Sequence, residues 1–338
     1  MSVYIIAEAG VNHNGNIDTA KMLVDAAVEA GANAVKFQMF KADKLAASSA
    51  VMADYQKQNM GASESQQSML RKLELSEDDH IVLLKYCEER GIDFLSSPFD
   101  IESMRFLLSI GMDTIKIPSG EITNFPYLCE AARSGRRIIL STGMSTLDEV
   151  RAAVDVLEQF SDIPLTKGGN LTLLHCNTQY PTPYEDVNLK AMLTLRDEFG
   201  CSVGYSDHTR GIEVPIAAVA MGATVIEKHF TLNKNMPGPD HKASLEPDEL
   251  KAMVSAIRHI EAAMGDGIKH VTDSEKGNIA VARKSVVAAV EIKAGDVFTE
   301  DNLTTKRPGD GISPMRWNEI IGNVADRDYG VDEKIEGL

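Results

Sequence analysis

One periodicity constrains this chain more than any other feature. From residue 3 to about residue 264, short apolar runs alternate with longer runs whose apolar residues recur at helical spacing. The first run is Val3 to Ala7. Asn16 then opens a segment with Ala20, Leu23, Val24, Ala27 and Val28 on one face, closed by Gly31. That i, i+3, i+4, i+7, i+8 stripe belongs to a helix lying on a core. It has a capping side chain at one end and a glycine suited to the left-handed cap at the other. Residues 34–38 read as the next strand, and a helix follows a polar insert over 77–90. Further strands are expected over 93–96, 114–117, 138–141, 171–175, 202–205 and 224–227. Helices fit between them over 101–110, 126–134, 147–160, 189–199 and 213–221. The last helix opens at Pro247 and sets Leu250, Met253, Val254, Ile257, Ile260 and Met264 on one face. Strand after strand, each followed by a helix, predicts an α/β fold, a (β/α)8 TIM barrel over residues 1–265. A doubly wound open sheet would want a GxGxxG turn after the first strand, and none follows it.

The alternation then stops. Residues 266–280 are polar and read as a linker, and residues 281–338 as a small domain. Its β-like segments fall over 285–290 and 297–299, punctuated by Gly295-Asp296, Pro308-Gly309 and Asp310-Gly311. A piece of this size is marginal alone, so it is expected to dock on something.

Composition narrows the function classes. Lys and Arg total 34 against 50 Asp and Glu, a net charge of −16. That balance argues against nucleic acid or an anionic membrane as partner. No apolar run approaches the ~20 residues of a membrane span, and the N-terminus reads as a strand rather than a leader. Cys87, Cys129, Cys176 and Cys201 form no CxxC pair, which suits a reducing cytoplasm.

The polar residues cluster just after the expected strands: Glu8, then Lys36 and Gln38, Ser97, Lys116 with Ser119 and Glu121, and Ser141. The series goes on with His175 and Tyr180, Ser206-Asp207-His208, then Glu227 and His229. One such residue is an ordinary turn or cap. The whole series converges on the C-terminal mouth of a barrel, where active sites are built. His208 and His229 lie one strand–helix unit apart and would share that mouth. Imidazoles there suit a divalent metal, with Asp207 and Glu227 as candidate orienters. Lys36 and Lys116 end buried strands, where an unpaired ammonium is costly. They are expected either to pair with Glu8 or Glu121, or to capture an anion with the hydroxyls of Ser97, Ser119, Ser141 and Ser206. His80, His259 and His270 read as surface residues, and His241 is left open.

Several stretches together are recognisable: Ala7-Glu8-Ala9-Gly10-Val11-Asn12-His13-Asn14-Gly15, Lys116-Ile117-Pro118-Ser119-Gly120-Glu121, Tyr205-Ser206-Asp207-His208-Thr209, and Pro237-Gly238-Pro239-Asp240-His241. With Lys306-Arg307-Pro308-Gly309-Asp310-Gly311 near the end, the chain resembles the sialic acid synthase family along its whole length. Those enzymes condense phosphoenolpyruvate with an N-acetylated hexose. The resemblance implies that the tail is an antifreeze-like (SAF, β-clip) domain. It implies metal ligands at His208 and His229, for Mn2+ or else Mg2+ or Co2+, and phosphoenolpyruvate contacts at Lys36, Ser97, Lys116, Ser119, Ser141 and Ser206. Gln38, Tyr180 and Asp240 fall to the sugar side, and Glu121 or Glu8 to the proton of the attacking water. Arg307 would reach the sugar from the other subunit of a domain-swapped homodimer. The expected reaction is condensation with N-acetylmannosamine to N-acetylneuraminate. The alternative is a 2,4-diacetamido-trideoxy hexose and a legionaminate product, and a metal-dependent hydrolase on the same barrel is a remoter one.

Overall fold

The computed structural model describes residues 2–47, 50, 52, 57 and 65–337. The chain forms two compact units that divide after Gly265.

The first unit is built on eight parallel strands: β1 (Tyr4–Gly10), β2 (Ala34–Met39), β3 (Asp93–Pro98), β4 (Thr114–Ile117), β5 (Arg137–Ser141), β6 (Leu171–Cys176), β7 (Ser202–Asp207) and β8 (Val225–His229). Their order is β3-β2-β1-β8-β7-β6-β5-β4, so the first and last strands in sequence are paired neighbours. β3 and β4 adjoin without a hydrogen-bonded ladder, which leaves the barrel nearly closed. The helices between strands follow the apolar stripes. In the first, Ile17–Ala30, Asn16 Oδ1 accepts from the Thr19 amide at 2.9 Å and Gly31 ends the helix in the left-handed region.

The pleat sorts side chains by face, because alternate residues of a strand point opposite ways. Ile6, Ala34, Leu95, Ile139, Leu174 and Val225 fill the barrel interior. Their neighbours, such as Ile5, Val35, Phe94, Ile138, Leu173 and Ile226, pack under the helices. Gly204 sits in the interior layer because nothing larger fits. A Cβ there would lie 2.2 Å from the Val225 carbonyl oxygen and 2.7 Å from Leu174 Cδ2. Two residues further along the strands, the interior turns from apolar to polar and charged.

Several strands run one to three residues past their expected ends. β1 continues to Gly10, β3 to Pro98, β7 to Asp207 and β8 to His229. The polar residues expected after the strands are therefore often on them. His80 departs from expectation in another way. It is fully buried, its Nδ1 donating to the Ser76 carbonyl at 2.9 Å and its Nε2 3.1 Å from Ser96 Oγ. It ties the start of helix Glu77–Arg90 to β3 and is no surface residue, whereas His259 and His270 are exposed.

In the second unit, the stretch expected as a linker is helical over Asp273–Ala282, opened by a capping box between Thr272 and Glu275. β9 (Ser285–Ala288) pairs antiparallel with β10 (Leu303–Lys306). The expected strand over 297–299 makes a single bridge, Val297 to Val324, and Phe298 turns into the core. That core is Val286, Ala288, Ile292, Phe298, Leu303, Ile320, Ala325, Tyr329 and Ile335. No helix among the described residues is long and apolar enough to cross a membrane.

Candidate active site

A cavity of about 330 Å³ opens at the C-terminal ends of the barrel strands. Its floor is the charged layer that caps the apolar interior. Lys36 Nζ lies 2.5 Å from Glu8 Oε2 and 3.7 Å from Glu227 Oε2, and donates to Ser97 Oγ at 3.0 Å. Lys116 Nζ lies 3.3 Å from Glu227 Oε1 and donates to Ser141 Oγ at 2.8 Å. Ser206 Oγ donates to Glu227 Oε1 at 3.0 Å, and Gln38 Nε2 to Glu8 Oε1 at 2.9 Å. All four charged groups are buried. The strand pleat makes this ring: Glu8, Lys36, Ser97, Ser141, Ser206 and Glu227 stand two residues beyond Ile6, Ala34, Leu95, Ile139, Gly204 and Val225.

The charges tune one another. Burial works against the Glu227 carboxylate, but Lys116 and Lys36 outweigh it and hold its pKa at about 2. Burial and the nearby charge of Glu227 push Glu8 upward. Burial opposes the charge on Lys36, and Glu227 and Glu8 more than restore it. Lys116 is drawn down by burial. Two lysines face two carboxylates, so the floor is close to neutral.

The rim carries the histidines. Their ring centroids are 5.4 Å apart, and the Tyr180 ring lies 4.1 Å from His208 and edge-on to His229 at 5.4 Å. His208 Nδ1 donates to the Asn177 carbonyl. A carbonyl only accepts, so the proton sits on Nδ1 and the Nε2 lone pair is left for a ligand. Burial holds His208 neutral, its pKa drawn down to about 4, and drives His229 well below the usual range. His229 Nδ1 is buried with no hydrogen-bond partner among the described residues, 4.0 Å from Asp240 Oδ2. Burial, then the charge of Glu8, pushes the Asp240 carboxyl up to about 7. Two neutral imidazoles with spare nitrogens fit a divalent ion. No set of three or more His, Cys, Asp or Glu among the described residues is arranged to hold one. The protein's share would be two ligands, with water and substrate as the remainder. Gly10 is required beside them. Its φ is +53°, and a Cβ would press on Glu8 Oε1 at 3.2 Å and Gln38 Nε2 at 3.3 Å.

Of the residues to which the resemblance gives a role, twelve line this one cavity. They are Glu8, Lys36, Gln38, Ser97, Lys116, Ser119, Ser141, Tyr180, Ser206, His208, His229 and Asp240. Two do not. Glu121 sits in the turn Ser119–Glu121 outside the lining, its Oε2 accepting from Asn124 Nδ2 at 2.5 Å. Arg307 is an exposed residue of the second unit, its Nε donating to the Ala282 carbonyl at 3.0 Å. Other expectations are corrected by the pleat. Asp207 points outward, paired with Lys228 at 2.5 Å, and orients no imidazole. His175 also turns away from the cavity, its Nε2 donating to the Val187 carbonyl at 2.8 Å. His241 is buried and bonded to Thr231 Oγ1 at 2.7 Å. Glu227, read only as an orienter, is the carboxylate between the two lysines. Cys176 lies in the wall with Sγ 3.3 Å from Ser119 Oγ. Period-two counting along β6 and β8 would have found both.

A profile of the NeuB family matches residues 23–269, and a SAF domain profile matches residues 283–330. The chain belongs to the NeuB family. An N,N'-diacetyllegionaminic acid synthase of Campylobacter jejuni is 54% identical over 331 residues, 98% of each chain. One of Legionella pneumophila is 50% identical, over 96% of this chain and 90% of that one. Among solved NeuB-like structures, the N-acetylneuraminic acid synthetase of Leptospira borgpetersenii, in complex with citrate, superposes with a TM-score of 0.71. It is 34% identical and covers 82% of this chain, which covers 90% of it. In this NeuB family member the family match falls almost wholly on the first unit, and the SAF match lies within the second.

Proposed function

We propose that the chain condenses phosphoenolpyruvate with a 2,4-diacetamido-trideoxy hexose, giving N,N'-diacetyllegionaminate and inorganic phosphate. The observation that carries this reading is the 54% and 50% identity, along nearly the whole chain, to two synthases of that product. The N-acetylmannosamine expectation gives way to it, because the N-acetylneuraminic acid synthetase is only 34% identical.

The methylene carbon of phosphoenolpyruvate forms a bond to the aldehyde carbon of the open-chain sugar. Water adds to the cation left at the central carbon, and the bond from that carbon to the bridging oxygen breaks to release phosphate. Lys36 and Lys116 hold the carboxylate and phosphate, with the hydroxyls of Ser97, Ser119, Ser141 and Ser206 as further donors. The same lysines stabilise charge that shifts toward the leaving phosphate. Gln38, Tyr180 and Asp240 face the sugar. Glu8, rather than Glu121, takes the proton of the attacking water. It is buried on the cavity floor with a raised pKa, whereas Glu121 is outside the lining.

The near-neutral floor needs a further positive charge to hold a polyanion. His208 and His229 are suited to hold Mn2+, Mg2+ or Co2+. Such an ion supplies that charge and Lewis-acid polarisation of the aldehyde oxygen. The domain-swapped homodimer, with Arg307 on the sugar, stays part of the proposal and rests on the resemblance alone.

Phosphate release from phosphoenolpyruvate, measured with each sugar, tests the reading. Release is expected with the diacetamido sugar, with a nine-carbon keto acid of matching mass, and is expected to stop on chelation and return with Mn2+. Faster release with N-acetylmannosamine would overturn the choice of sugar.

A further inference from the structure

The cavity has two unlike halves. Opposite the charged floor stands an apolar wall from the segment between β2 and β3. Helix Gln66–Arg71 presents Gln66, Met69 and Leu70 to the cavity, and Leu73 follows in the next turn. That is an i, i+3, i+4, i+7 stripe, the spacing by which a helix normally covers a core. Here it faces the site. Leu45 and Phe99 complete the wall, and Phe40 backs it edge-on to Phe99 at 6.1 Å. These residues form a cluster separate from the barrel core, with Leu45, Leu70 and Phe99 only partly buried.

Phosphoenolpyruvate carries charge on both ends and has no use for such a wall. The sugar has. A 2,4-diacetamido-trideoxy hexose carries a second acetamido methyl and a terminal methyl where N-acetylmannosamine carries hydroxyls. A hydroxyl turned to Leu45, Met69 and Leu70 loses water and gains no partner. A methyl group there is buried favourably. We propose that this wall, with Leu45, Met69 and Leu70 as its contact residues, is the subsite for the sugar's methyl-bearing substituents and selects the diacetamido sugar. The proposal rests on the function given above. Gln66, whose backbone amide donates to the Ala50 carbonyl at 3.4 Å, opens the stripe on the cavity lining, and its side-chain amide suits the amide of the second acetamido group.

The test compares kcat/KM for the two sugars, with phosphoenolpyruvate saturating, in the full-length protein and in Leu70→Asn, Leu45→Asn and Leu70→Met. The native protein is expected to prefer the diacetamido sugar. Either Asn variant is expected to lower that preference about tenfold or more, the scale of discrimination by a methyl-sized contact. The KM for phosphoenolpyruvate should stay within about twofold, and Leu70→Met should retain the preference. Two positions are used so that one misfolded variant, detected by circular dichroism, does not decide the matter. A native preference for the diacetamido sugar with ratios unchanged in the Asn variants overturns the subsite alone. A native preference for N-acetylmannosamine overturns the subsite and the proposed function together.

Discussion

Each face of β7 and β8 sets a carboxylate against lysine, and the two faces treat the pairing differently. On the outer face, Lys228 Nζ donates to Asp207 Oδ2 and to the Thr209 carbonyl, each at 2.5 Å. Asp207 in turn accepts from the Thr209 amide at 3.0 Å and its hydroxyl at 3.1 Å. Both side chains are fully buried, and the cluster is closed on itself. On the inner face, Glu227 shares two lysines, its Oε2 makes no hydrogen bond, and His229 Nδ1 has no partner among the described residues. A closed buried pair contributes to structure. An open one leaves valences that a ligand can fill, which is where perturbed side chains become chemical.

The largest effect that would break this comparison is on the inner face. Lys116→Met is expected to lower turnover about 10³-fold or more, through lost transition-state charge stabilisation. Its cost in stability should be about 1 kcal/mol, because Lys36 stays beside Glu227 and the cavity admits water. Steady-state phosphate release and urea denaturation measure the two. A variant that unfolds as readily as the outer-face one, yet turns over when folded, would erase the distinction.

Lys228→Met attacks the closed pair. It strands the Asp207 carboxylate in the layer between strands and helices, and the expected loss is about 3–5 kcal/mol of stability. The double variant Asp207→Asn with Lys228→Met should recover part of that loss, which a thermodynamic cycle would show as a coupling term. Purely additive losses would count against the pair as a unit.

The fold was legible because the strand–helix period survives in nearly every unit. The helix Leu147–Phe160 and the strand Thr114–Ile117 fall where the apolar pattern places them. Strand ends were less legible. Apolarity stops at Ala7 and Tyr205, but the backbone continues as strand through Glu8 and Asp207, because cross-strand ion pairs satisfy their side chains. The polar series after the strands marked the mouth correctly as a place. It could not separate Ser206 and Glu227, which face in, from Asp207 and His175, which face out. That separation needs the register of the pleat, and a one-residue slip reverses it. His80 was misread because the partners that permit its burial, the Ser76 carbonyl and Ser96 Oγ, belong to a cap and a strand. The apolar wall was hidden in a segment read simply as a polar insert.

Histidines extend the same comparison and give the smallest effect. His13 and His80 are buried outside the cavity lining, and desolvation lowers both pKa values, that of His13 to about 4. In the unfolded chain each titrates near 6.5, so below that pH the unfolded state binds protons that the folded state refuses. The stabilisation is therefore complete above about pH 6.5 and is lost as pH falls toward 4. Between pH 7 and pH 5, His13 alone is expected to account for about 2 kcal/mol of lost stability. This window lies above the range where most carboxylates titrate, so urea denaturation at half-unit steps resolves it. His13→Gln should flatten the profile there, at the cost of the bond from the Gly15 amide to His13 Nδ1. An unchanged slope in that variant would mean that His13 is already free to take a proton in the folded protein. It would then behave like the open inner face of β8, not like the closed outer one.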